Sequence, residues 1–254
     1  MRSDDWSHEP LPSAAALGLT RLVHEREVES TMDVAHALAA DGVDAGVLVL
    51  ADHQRRGRGR GGKTWHSADH AGLWMTLIER PADQRVVGVL ALRLGLAIAD
   101  ALAPFVDAPL QLKWPNDVMA GPGKLVGILV EARWRNASVD WVAIGVGINR
   151  SAPAELPVAA SLGAGVSRAA LLMSIVPALR AAVAKEGLLS DGERAAWHAR
   201  DFARGRTIIA PRAGTVVGVS ADGALLVSPV SGASVEAIHA GSLVFDESIV
   251  SSPS

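Results

Sequence analysis

The sequence predicts an α/β chain in which a mixed sheet is flanked by helices and a small β unit follows. Three observations support this. Apolar runs of strand length and longer helical segments together fill the chain up to about residue 203. After Gly205 the texture changes to short β-rich runs separated by Gly, Asp and Ser turns. The length of 254 residues suits one large domain with a small appendage, divided here as residues 1–204 and 205–254.

Residues 1–20 are rich in Ser, Pro and acidic side chains and read as a loose lead-in. Ser30 and Thr31 can cap a helix running to about Ala40, and Gly42 is placed to end it. Residues 46–52 form an apolar strand, residues 54–63 a Gly/Arg loop, and residues 73–78 a second strand. Residues 86–102 form the long helix, stopped before Pro104; Arg93 and Asp100 inside it favour burial in protein over a membrane span. Strands are expected at 110–114, 125–134 and 139–148, the last two joined as a hairpin across 135–138. Ser167 can cap a helix to about Glu186, and another covers roughly 191–203. Runs at 207–211, 214–219, 224–227, 234–238 and 242–245 suggest a small all-β barrel.

Composition narrows the chemistry. The absence of cysteine excludes disulfides, thiolate metal sites and a cysteine nucleophile. A net charge of −3 argues against a general nucleic-acid binder. The N-terminus lacks a basic segment followed by an apolar core, so the expected location is the cytoplasm, with no membrane association. The histidines show no spacing such as H-E-x-x-H, and no protein metal site is expected.

Residues 57–64, Gly-Arg-Gly-Arg-Gly-Gly-Lys-Thr, satisfy the P-loop pattern G-x-x-x-x-G-K-[ST]. A P-loop needs a helix that starts at the Lys-Thr, and Trp-His-Ser-Ala-Asp-His-Ala-Gly offers no helical period there. The loop still suits an anion, because glycines admit close backbone approach while Arg58, Arg60 and Lys63 bring positive donors. A solvated basic turn is the alternative. Lys113-Trp-Pro-Asn-Asp117 ends a strand, Lys124 follows within Gly123-Lys-Leu-Val-Gly-Ile128, and Gly145-Val-Gly-Ile-Asn149 is a third polar-tipped strand end. Together these ends can form a pocket, although Pro-Asn-Asp is also a common turn. They do not by themselves identify a reaction.

Taken in register, these segments resemble the biotin–protein ligases across about residues 25–247. Gly57 to Trp65 is similar to that family's Gly-Arg-Gly-Arg-x-x-Arg-x-Trp loop, and Lys113–Asp117 matches its signature. The resemblance implies a class II synthetase-like catalytic domain with a C-terminal SH3-like barrel. It implies biotin contacts at Ser30, Thr31, Gln54, Gly57, Arg58, Lys124 and Gly127, with the Ser-Thr pair on the ureido ring. It places ATP at Arg60, Lys63, Trp65, Asn116 and Asn149, and catalysis on Lys124, Arg60 and Asp117. The implied substrates are ATP and biotin with Mg²⁺, and the implied partner is the biotin carboxyl carrier protein or domain of an acyl-CoA carboxylase. Oligomeric state is left open.

The chain also departs from the family. Met32 stands where Asn often follows Ser-Thr, and Lys63 replaces an Arg and cannot form a bidentate fork. The segment near 157–162 has no tryptophan to stack on adenine. The chain starts almost at the catalytic domain, so an N-terminal DNA-binding winged helix is not expected. Competing readings are a lipoate–protein ligase, a non-catalytic biotin-binding regulator and, last, a P-loop NTPase.

Overall fold

A computed structural model describes residue 6 and residues 9–151, 159–163 and 165–246. In chain order the strands of the main body are β1 (Arg21–Val28), β2 (Val47–Gln54), β3 (Gly57–Arg58), β4 (Thr64–Trp65), β5 (Gly72–Glu79), β6 (Leu110–Lys113), β7 (Asp117–Ala120), β8 (Gly123–Arg135) and β9 (Ser138–Asn149). The helices are α1 (Thr31–Ala40), α2 (Leu90–Leu102), α3 (Arg168–Val183) and α4 (Asp191–Arg200). Strands β10 (Thr207–Ala210), β11 (Gly214–Val219), β12 (Leu225–Pro229), β13 (Glu236–Ile238) and β14 (Val244–Phe245) complete the chain.

Seven strands form one mixed sheet in the order β1-β2-β5-β9-β8-β7-β6. Only the β1–β2 pairing in it is parallel. Strand alternation sorts β2 between two layers. Val47 and Val49 face α1 with Ala35, Ala39, Ile78 and Trp141, whereas Leu48 and Leu50 join the core under α2 and α3. Ser30 caps α1 by accepting from the Met32 amide. Arg93, almost fully buried on α2, is satisfied by Glu193 Oε1 at 2.8 Å and by carbonyls at the end of the α3–α4 connection. Among the described residues no helix is long and apolar enough to cross a membrane.

The second sheet, β13-β12-β11-β10-β14, is antiparallel and matches a small SH3-like unit. It is tied to the body by Trp114 Nε1, which donates to the Gly223 carbonyl at 3.1 Å, and by the Phe202 amide on Leu112 O.

Several elements differ from the sequence expectation. The described part of the lead-in packs rather than dangles, residues 1–5, 7 and 8 lying outside the described residues: Trp6, Leu17 and Leu19 are buried, and Trp6 Nε1 donates to Val166 O. Strand β1 was not expected, because an edge strand reading Arg-Leu-Val-His-Glu-Arg-Glu-Val shows no apolar alternation. The turn expected at Pro-Asn-Asp is present at residues 114–116, but strand β7 after it was not expected. The long helix begins only at Leu90, after a 3-10 turn over Gln84–Gly88 whose cap is Asp83. Helices α3 and α4 each stop about three residues early, and the Gly/Arg loop folds back as the β3–β4 ribbon.

Candidate active site

The loop between β3 and β4, the β6–β7 turn and the inner ends of β8 and β9 meet at one edge of the large sheet. Two cavities open there, an inner one of about 50 Å³ and an outer one of about 360 Å³. Trp65, Lys124 and Asn116 line both.

One side of the inner pocket carries neutral hydrogen-bonding groups, while Arg58, Arg60 and Lys124 also line it. Gln54 Oε1 accepts from the Thr31 amide at 2.9 Å and from the Thr31 hydroxyl at 3.1 Å. Thr31 having spent its proton there, Thr76 Oγ1 donates to Thr31 Oγ1 at 2.8 Å. Gln54 Nε2 in turn donates to Ser67 Oγ at 2.7 Å. All of these side chains are buried, so each needs its partner. Thr76 is absent from the sequence-based site because it sits inside an apolar strand with no polar neighbour to mark it.

The floor is a cross-strand pair, Gly127 on β8 opposite Gly147 on β9. A Cβ on either would fall 2.5 Å from the Trp65 ring. The indole therefore lies directly against two bare backbones, a packing that a side chain at either position would prevent. Its Nε1 is buried without a hydrogen-bond partner among the described residues. Gly57 lines neither cavity and serves the stem of the loop, where a Cβ would lie 2.5 Å from Trp65 O.

The outer chamber is cationic. Arg60, Lys63, Lys113 and Lys124 line it, and Asp117 is the one carboxylate among its described lining residues. Lys124 Nζ lies 2.6 Å from Asp117 Oδ1 and 4.9 Å over the Trp65 ring, at the junction of the two cavities. Burial pushes the Lys113 ammonium below the ordinary lysine range; Asp117 opposes this, while Lys124, Arg206 and Lys63 add to it. Lys113 also lies 5.4 Å over Phe245, whose ring is stacked by Arg206 at 3.8 Å. The crowd of like charges suits a polyanion that would replace lost solvent.

Two asparagines brace this wall. Asn116 Nδ2 donates to Ile128 O at 2.7 Å and Asn149 Nδ2 to Lys124 O at 3.2 Å, so both hold β8 in place. Arg60 reaches across to the second sheet, donating to the Gly241 carbonyl and to Ser242 Oγ. Ser242 and Leu243 line the outer chamber, a contribution no local motif announced. Of the segment expected near adenine, residues 157 and 158 lie outside the described residues. Ala159 lines the chamber, and the Ala160 amide donates to Lys124 O.

The expected residues thus divide in space. Ser30, Thr31, Gln54, Arg58 and Gly127 surround the inner pocket, while Lys63, Asp117 and Asn149 surround the outer chamber. Arg58, however, directs its guanidinium to Asp33 and Glu131, at 2.9 and 2.6 Å.

Comparison with known proteins gives a consistent picture. Residues 25–149 match the model of the biotin/lipoate A/B protein ligase family. A Mycobacterium tuberculosis biotin–[acetyl-CoA-carboxylase] ligase is 42% identical over 134 residues, covering 50% of this chain and 48% of that protein. The bifunctional ligase/repressor BirA of Bacillus subtilis is 37% identical over 129 residues, covering 50% and 40%. The match thus spans less than half the length of these relatives. The solved structure of biotin protein ligase from Aquifex aeolicus in complex with biotin and ATP superposes with a TM-score of 0.72, at 26% identity, over 90% of this chain and 99% of that one. Residues 25–149 are thus similar to the biotin/lipoate A/B protein ligase family, and the fold is that of the biotin protein ligases.

Proposed function

We propose that the protein is an ATP-dependent biotin–protein ligase. The observation that supports this best is the position of Lys124, between a pocket with an uncharged hydrogen-bonding wall and a cationic chamber. The groups of the first match a substrate with a neutral polar head and a carboxylate tail, once Trp65 moves to make room, and a nucleotide triphosphate fits the second. The carboxylate oxygen attacks the α-phosphorus, the bond to the β-phosphate breaks, and pyrophosphate leaves with biotinyl-5′-AMP formed. A carboxylate needs no general base, so Lys124, Arg60 and Lys63 act by lowering the cost of bringing anions together. Asn116, Asn149 and Trp65 shape the nucleotide side; Ser30, Thr31 and Gln54 read the biotin head.

In the second half a lysine amine of the acceptor attacks the acyl carbon and AMP departs. Asp117 orients that amine and takes its proton; an Asp117→Asn enzyme that transfers biotin from preformed adenylate at the normal rate would remove this role. Mg²⁺ travels on the nucleotide phosphates, which suits a chamber whose described lining offers one carboxylate. The acceptor is the carboxyl carrier domain of an acyl-CoA carboxylase, in the cytoplasm. Residues 1–204 serve as the catalytic unit and 205–254 as a barrel that closes over the nucleotide through the segment beside Arg60.

The test is pyrophosphate release with ATP and Mg²⁺ plus biotin, lipoate or neither. The expected result is release with biotin. Release with lipoate alone overturns the proposal in favour of a lipoate ligase, and phosphate release with neither favours an NTPase.

A further inference from the structure

Arg58 lines the inner pocket but not the outer chamber, and its guanidinium is engaged by carboxylates. Its fork closes on two carboxylates, Asp33 Oδ1 on the first turn of α1 and Glu131 Oε1 on β8. The second oxygen of Glu131 meets His36 Nε2 at 2.9 Å. Trp141 Nε1 donates to His36 Nδ1 at 3.2 Å, which fixes the tautomer: Nδ1 is bare, and Nε2 carries the hydrogen given to Glu131. Both oxygens of Glu131 thus have their own donor, and α1, β8, β9 and the loop stem are joined in one chain of hydrogen bonds. The same elements carry Thr31, Gly127, Gly147 and Arg60.

We infer that Asp33, His36 and Glu131 are positioning residues that clasp Arg58 and give the Gly/Arg loop a fixed pivot. The inference rests on the ligase reading for its catalytic consequence. Exposed single ion pairs contribute little, but an arginine fork held on two carboxylates at once, one of them partly buried and backed by His36, fixes direction as well as charge. A loop covering a hydrolysable acyl adenylate is judged by how rarely it opens, because escape of the intermediate competes with transfer. The clasp therefore sets retention of the adenylate and leaves the attack at phosphorus to the cations of the chamber.

The experiment compares wild type, Glu131→Gln, Arg58→Ala and the double variant. Two readouts are used: pyrophosphate released per biotin transferred to carrier, and the rate of tryptic cleavage within residues 55–63 of the ligand-free protein. Glu131→Gln should raise both roughly three- to tenfold, with the initial rate of adenylation within about twofold of wild type. It should add nothing in the Arg58→Ala background. Asp33→Asn, on the more exposed carboxylate, should act in the same direction more weakly. Unchanged cleavage in Glu131→Gln, or an effect that persists in full without Arg58, overturns the clasp. Cleavage needs no turnover, so it reports on the clasp even if biotin-dependent pyrophosphate release is absent and the ligase reading itself fails.

Discussion

The inner pocket and the outer chamber share Arg60, Trp65 and Lys124 but differ in the groups that are theirs alone. Thr31 and Gln54 of the inner wall belong to an uncharged chain of hydrogen bonds that runs behind it from Thr76 to Ser67. The outer wall gathers four cations around one carboxylate. A neutral circuit selects by hydrogen-bond matching, since a ligand that leaves one buried group unpaired is penalised. A cationic chamber selects by charge and tolerates varied geometry. The two are also unequal in readiness. Sites that hold small molecules run to roughly 300–1,000 Å³, which the outer chamber meets and the inner pocket, with Trp65 seated on Gly127 and Gly147, does not.

The largest effect is expected at the junction. Lys124→Ala should cut biotin-dependent pyrophosphate release by about 100-fold or more, the scale on which a preorganised transition-state donor acts; a loss of less than tenfold in a single-turnover assay would move the chemistry elsewhere. Next comes the floor of the inner pocket. Gly147→Ala forces Trp65 off its seat and should raise the KM for biotin by roughly tenfold, as overpacking of a tight site does. Because Trp65 also lines the outer chamber, the KM for ATP should rise as well but by less, and equal rises in both would show that the pockets are not separable.

A smaller effect separates the chamber by pH. The Lys113 ammonium is depressed by burial, so its charge is lost as pH rises through a value below the usual lysine range. The KM for ATP should therefore climb on an alkaline limb that begins before an ordinary lysine titrates. Lys113→Arg should move that limb upward, and a limb unchanged by the substitution would assign it to another group.

Much of the fold was legible because the strands at the centre of the sheet are continuous apolar runs, as in residues 46–52 and 139–148. β1 was not, since an edge strand is held by backbone pairing and its side chains are free to be polar. The motif residues of the site could be read because glycines, Lys124 and the Asn-Asp pair carry local signals. Thr76, Ser242 and Leu243 could not, because only pairing across the sheet and packing of the second sheet bring them in. Nor did the sequence show where Arg58 points, since two carboxylates distant from it in the chain decide that.

The division into a neutral and a cationic half is tested most directly by a paired measurement of KM for biotin and for ATP in Thr31→Val and Lys113→Met. Thr31→Val leaves Gln54 short of a donor and should raise the KM for biotin by roughly fivefold or more with little change for ATP. Lys113→Met should do the reverse. If either substitution raises both constants to the same degree, the two cavities act as one site and the account is wrong.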